Sequence, residues 1–127
     1  MGMHWTLGCD AADPHRLAAF WATALGYEPE PGYDEPDGAS IIDPEGKGPA
    51  LSFLRVPEAK SAKNRMHIDL RVAGEPPWDV PAREQLIHAT VERLVAIGAS
   101  TVREVRYEQQ LGHVVMLDPE GNEFCVA

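Results

Sequence analysis

Apolar and polar residues alternate strictly through Met66-His67-Ile68-Asp69-Leu70-Arg71-Val72, the pattern of a half-buried strand. Met66, Ile68, Leu70 and Val72 share one face, and His67, Asp69 and Arg71 share the other. An imidazole, a carboxylate and a guanidinium on one strand face suit the lining of a wet, ligand-sized cavity better than a surface packed on a helix. Met3 to Cys9 alternates in the same way, with Met3, Trp5, Leu7 and Cys9 opposite His4, Thr6 and Gly8, and is predicted as the first strand. A helix follows it. Asp13 can cap free amides, and Pro14 supplies the dihedral wanted at the first helical position. Leu17, Phe20, Trp21, Ala24 and Leu25 then form one apolar stripe, which Gly26 closes.

Beyond this helix, residues 28–38 are acidic and proline-rich and read as a loop or an irregular edge. Strands are predicted over 39–42 and 50–56, and the connector 57–65 carries Lys60, Lys63 and Arg65 as a solvated turn. A second helix opens near Pro81, shows an apolar face of Leu86, Ile87, Val91, Leu94 and Val95, and ends at Gly98. Strands at 101–105, 113–117 and 123–126 complete the chain, with His113 read as a surface or rim residue.

The order strand, helix, three strands therefore occurs twice. Asp43-Pro44-Glu45-Gly46 recurs identically as Asp118-Pro119-Glu120-Gly121, each time between a β-branched run and a closing strand. Half-size units of this kind cannot each bury an independent core. The expectation is an α+β fold, one domain over 1–127, built from two βαβββ modules at about 1–57 and 65–127 that form a curved mixed sheet around a cavity with the helices outside.

Composition narrows the partners. The 127 residues carry 20 acidic against 11 basic side chains, a formal charge of -9, which argues against nucleic acid or an anionic membrane as a partner. No apolar stretch approaches the roughly 20 residues of a membrane span, and the N-terminus has no charged region followed by an apolar one, so a cytoplasmic location is expected. Cys9 and Cys125 both lie in strand-like sequence and make neither a disulfide framework nor a zinc motif.

The Asp13-Pro14 helix ending in FWATALGY, the mid-chain MHIDLRV, the Gly98-Ala99-Ser100 stretch and the terminal DPEGNEFCV resemble the glyoxalase/bleomycin-resistance/dioxygenase family, the vicinal-oxygen-chelate superfamily, over essentially the whole chain. The resemblance implies the fold but not a reaction, because this fold hosts lyases, isomerases, dioxygenases and metal-free drug-binding proteins. Metal-dependent members place one ligand on each of four strands around a divalent cation. Carried onto this sequence, those positions are about Thr6, Ser52, His67 and Cys125, of which only His67 is a usual ligand. A two-residue shift at both ends of the chain offers the alternative set His4, His67 and Glu123.

No cofactor is therefore favoured, although a divalent metal is the alternative. The expected ligand-binding residues are Thr6, Ser52, His67, Asp69, Arg71 and Cys125, holding a hydrophobic or aromatic metabolite or antibiotic. Arg71 either neutralises Asp69 or clamps a substrate carboxylate. As an enzyme, the protein is expected to be a metal-dependent lyase or dioxygenase, or a metal-free catalyst with His67 as general base and Asp69 orienting it. Most chains of this family dimerise, and a homodimer is expected here.

Overall fold

The computed structural model describes residues 2–127, which divide into two compact units, 2–59 and 60–127. The first contains β1 (Leu7–Ala11), α1 (Pro14–Leu25), β2 (Glu28–Pro29), β3 (Gly38–Ile42) and β4 (Leu51–Arg55). The second contains β5 (Asp69–Leu70), α2 (Val80–Ala96), β6 (Ser100–Tyr107), β7 (Gln110–Leu117) and β8 (Glu123–Val126). Each unit has one four-stranded mixed sheet, ordered β1-β4-β3-β2 and β5-β8-β7-β6, so the topology is repeated as well as the order. In both, the first strand lies parallel to the last and the other pairs are antiparallel. The α+β class and the doubled βαβββ order are those predicted; neither sheet closes on itself.

The first helix begins and ends where the sequence places it. Asp13 accepts from the Arg16 amide, Pro14 opens the helix, and Gly26 adopts φ 72° in the cap. Its stripe packs on the strands of its unit, with Leu17, Phe20 and Trp21 buried and the two rings edge-to-face at 5.3 Å. Leu51 and Phe53 of β4 are buried, and their ladder partners Leu7 and Cys9 on β1 and Ala39 and Ile41 on β3 share that face. The opposite face carries the row Gly8, Ser52 and Ser40. In the second unit, α2 lies against β6, β7 and β8 and buries Ile87 and Leu94 with Val114, Met116, Phe124 and Val126. This apolar layer leaves the other sheet face to residues of opposite parity.

Three expectations need correction. The first strand starts at Leu7, not Met3, because it borders only β4, whose ladder begins at Leu51; Met3 and Trp5 are exposed. The central strand is two residues long rather than seven, since its single sheet neighbour is the four-residue β8, although ladder-like bonds extend it from the Ile68 carbonyl to the Val72 amide. Met66 is exposed. On α2, Leu86 and Val95 are about half-exposed, because they stand roughly 100° round the helix from Ile87 and Leu94.

The repeated tetrapeptide forms the same turn twice. Gly46 N–H donates to the Asp43 carbonyl and Gly121 N–H to the Asp118 carbonyl, each at 2.9 Å, with both glycines at positive φ. The Asp carboxylates repeat too, taking the amides of Glu45 and Glu120, each at 2.9 Å. Asp43 further accepts from the amides of Lys47 and Gly48, whereas buried Asp118 accepts from the amide and side chain of Asn122.

Loss of these bonds is measurable. Asp118→Ala should cost about 1–3 kcal/mol in urea unfolding, because a buried carboxylate is exchanged for unpaired amides. The amides of Glu45, Gly48 and Lys47 hold the Asp43 carboxyl below its ordinary pKa. Its contribution is thus complete above the unfolded carboxylate range and is lost as pH falls through the lower folded value. Asp43→Asn should accordingly lose less stability than the parent on acidification from about pH 6 to about pH 3; equal losses would remove Asp43 from the acid response.

Candidate functional site

The functional groups of the second unit are brought together by pairing across its sheet. Asp69 of β5 stands beside Cys125 of β8, Cys125 opposite Val115 of β7, and Val115 opposite Arg103 of β6, making one row across four strands. His67 and Glu123 lie two residues before the row on their chains, and Arg71, Ala127 and His113 lie two residues to the other side. All of these side chains line one open pocket of about 450 Å³, whose rim is completed by Gly74, Trp78 and Arg83.

At one end of the row, the His67 imidazole is held by its strand neighbour. Nδ1 lies 3.0 Å from Asp69 Oδ1. An ionised carboxylate only accepts, so this contact selects the tautomer with the proton on Nδ1 and leaves the Nε2 lone pair available. Asp69 also accepts from the Cys125 thiol. Burial pushes the pKa of that thiol up, and the negative charges of Asp69 and Glu123 add to the shift. Cys125 is therefore a neutral donor and wall of the pocket rather than a thiolate nucleophile.

Glu123 is shifted the other way, because a 2.5 Å contact with Lys63 holds its carboxyl below the ordinary range, assisted by Arg103 and His67. Asn64 fixes the start of the same strand, its side-chain oxygen accepting from the Glu123 amide and its amide donating to the Glu123 carbonyl. Arg71 pairs with Glu75 at 3.3 Å, not with Asp69. At the opposite rim, the Arg83 guanidinium donates to the carbonyls of Leu111 and Gly112 and lies 4.6 Å from the centre of the Trp78 ring. The indole N–H of Trp78 donates to the Gly74 carbonyl.

The structure groups His67, Asp69, Arg71, Glu123 and Cys125 around this pocket. Thr6, Ser52 and His4 belong to the first unit, where Thr6 and His4 precede β1 and Ser52 sits in the row with Gly8 and Ser40. Sequence reasoning missed Arg103, His113, Val115, Trp78, Arg83 and Lys63 as neighbours of the pocket. Parity identifies His113 and Val115 once β7 is paired with β8, because alternate residues of a strand share a face. Arg103 escapes that rule, since β6 carries register shifts on both sides of the segment it occupies.

One donor atom from each of His67, Asp69 and Cys125 lies within 4.8 Å of the others. Their chemistry does not fit the hard divalent cation implied by the resemblance. Asp69 holds Nδ1 of His67, the third donor is a soft thiol, and magnesium, manganese and iron sites of this type take carboxylate and imidazole ligands. In the alternative set, the Glu123 carboxylate is engaged by Lys63.

A sequence profile described as the glyoxalase-like domain matches residues 6–127. The chain belongs to that family. None of the proteins of curated function matches this glyoxalase-like domain. Among solved structures it is similar to a glyoxalase/bleomycin resistance protein/dioxygenase family enzyme from Burkholderia phytofirmans PsJN, at 14% identity and TM-score 0.71, over 95% of this chain and 94% of that one. A possible glyoxalase from Bacillus cereus is similar at 18% identity and TM-score 0.67, over 99% and 97%. So is a genomically encoded fosfomycin resistance protein from Listeria monocytogenes, complexed with Mn(II) and a dihydroxypropylphosphonic acid, at 12% identity and TM-score 0.70 over 99% and 89%. These likenesses place the glyoxalase-like domain in the vicinal-oxygen-chelate fold.

The thiol environment can be tested directly. In a Cys9→Ser background, Cys125 should react with iodoacetamide at pH 8 more slowly than a free cysteine, and Asp69→Asn should speed the reaction several-fold by removing a negative charge and an acceptor. An unchanged rate in Asp69→Asn would remove Asp69 from the causes that set the thiol.

Proposed function

We propose that this glyoxalase-like domain binds a small aromatic or hydrophobic metabolite or antibiotic in the pocket of its second unit, without a resident metal ion. The pocket carries the reading. Its volume of about 450 Å³ is that of a small-ligand site, and Trp78, Val115 and Ala127 supply apolar wall around the polar groups of His67, Asp69 and Cys125. The manganese held by the structurally similar Listeria protein is the precedent for a metal-bound site on this fold. The donor chemistry of His67, Asp69 and Cys125 weighs against carrying it over.

One observation favours a second reading. The 3.0 Å contact between His67 and Asp69 orients the imidazole, the arrangement of a general base with its orienting carboxylate. A substrate proton within reach of Nε2 would make the same pocket a metal-free acid/base site. The family resemblance supports a homodimer, and the formal charge of -9 supports a protein without nucleic-acid or membrane partners. Among the described residues, no helix is long and apolar enough to cross a membrane. A cytoplasmic protein is part of the proposal.

The test is a thermal-shift screen of aromatic metabolites and antibiotics in the presence of chelator, with elemental analysis and native mass spectrometry of the same untagged sample. A ligand at 100 times its Kd should stabilise the chain by about 2.7 kcal/mol. His67→Ala should weaken binding by no more than about tenfold, the loss of one hydrogen bond. Turnover abolished in that variant with binding retained would establish the acid/base reading. About one divalent ion per chain, lost on His67→Ala, would overturn the metal-free reading.

A further inference from the structure

The pocket differs in charge from the protein that carries it. Asp69 and Glu123 are its acidic lining groups, against the guanidiniums of Arg71, Arg83 and Arg103. Glu123 is answered by Lys63 and Arg71 by Glu75, which leaves two guanidiniums facing one carboxylate. The chain as a whole reverses this balance, with 20 acidic residues against 11 basic.

The two uncommitted cations differ. Arg83 spends its terminal nitrogens on the Leu111 and Gly112 carbonyls, while its buried Nε has no hydrogen-bond partner among the described residues, and its charge stays in place. Arg103 makes no hydrogen bond or close ion pair among the described residues and acts on Glu123 and Cys125 through its charge alone, so its planar fork of donors is available. The row also separates the groups. Asp69 and Arg103 occupy the outer strands of a four-stranded sheet, three strand spacings or roughly 14 Å apart at the backbone. The pocket therefore has a cationic end at Arg103 and a hydrogen-bonding end at His67 and Asp69, with Val115 in the floor between them.

We propose that the ligand is an aromatic carboxylate bearing a second polar group, its carboxylate taken by Arg103 and its polar group directed to the His67–Asp69 pair. This inference rests on the preceding reading that the pocket is a small-molecule site, and names the class of molecule. Trp78 contributes a fixed apolar surface for the ring, because its N–H is tied to Gly74 and its position is set by the Arg83 guanidinium. An aromatic amine or a neutral arene would leave the Arg103 guanidinium without an acceptor. A cationic ligand would meet repulsion.

The experiment compares a matched set of para-substituted benzoates with the corresponding benzamides by ligand-observed NMR on the full chain, at low and at physiological salt. The benzoates should bind at least about tenfold more tightly than the amides, with the difference shrinking as salt rises. Arg103→Gln should abolish that preference and leave amide binding within about twofold, whereas Arg103→Lys should retain part of it; circular dichroism checks that both variants fold. Equal affinity for benzoates and amides, or a preference that survives Arg103→Gln, would overturn the carboxylate inference while leaving the small-molecule pocket in place. Absence of binding by both sets at millimolar concentration would overturn the carboxylate inference together with the aromatic-ligand reading beneath it.

Discussion

The pairing of the first strand of the second unit with its last is the contact on which the candidate site depends. Asp69 and Cys125 are neighbours because β5 lies parallel to β8, and parallel neighbours require a long crossover. That crossover is the rest of the unit: a helix and two further strands, laid down so that the chain returns beside its own start. Only two residues of β5 are assigned to the ladder, and flanking bonds to Ile68, Leu70 and Val72 secure it at β8. The positions of His67, Asp69 and Arg71 are thus inherited from β8, and β8 is anchored through Phe124 and Val126 in the core beneath α2. Packing on one face of the sheet holds the chemistry on the other.

The parts legible in the sequence were those encoded locally. Asp13, Pro14 and Gly26 mark the first helix, and Leu51 and Phe53 declare the buried face of β4 by alternation alone. The two Asp-Pro-Glu-Gly turns announce the duplication because a short carboxylate, a proline and a glycine at positive φ are together enough to specify a turn. What escaped depends on partners distant in sequence. Met66 and Met3 continue an apolar alternation, yet a strand extends only as far as its neighbour offers amides and carbonyls, and that limit is set by β8 and β4. Leu86 and Val95 look inward on a helical wheel, but the sheet covers a narrower stripe centred on Ile87 and Leu94.

The candidate site divides along the same line. His67, Asp69 and Cys125 could be picked out by residue type and strand parity. His113 follows only once β7 is paired with β8, and Arg103 not even then, since its facing follows from a ladder with two irregularities. Lys63 seemed an ordinary solvated cation until the fold placed Glu123 beside it. These three residues change the chemical description most. Without them the pocket holds an imidazole, a thiol and a carboxylate; with them it acquires a cationic side inside an acidic protein.

The row Asp69, Cys125, Val115 and Arg103 draws each member from a different strand, and the backbones of Asp69, Cys125 and Val115 are flanked by buried residues of the opposite parity, Leu70, Phe124, Val126, Val114 and Met116. The corresponding face of the first unit carries Gly8, Ser52 and Ser40, small groups on the same frame. A sheet of this kind works like a keyboard, in which the frame lies below and the keys lie above. One key can be replaced without disturbing the hydrophobic layer under it, and ligand preference can therefore drift far while the architecture stays recognisable at 12–18% identity.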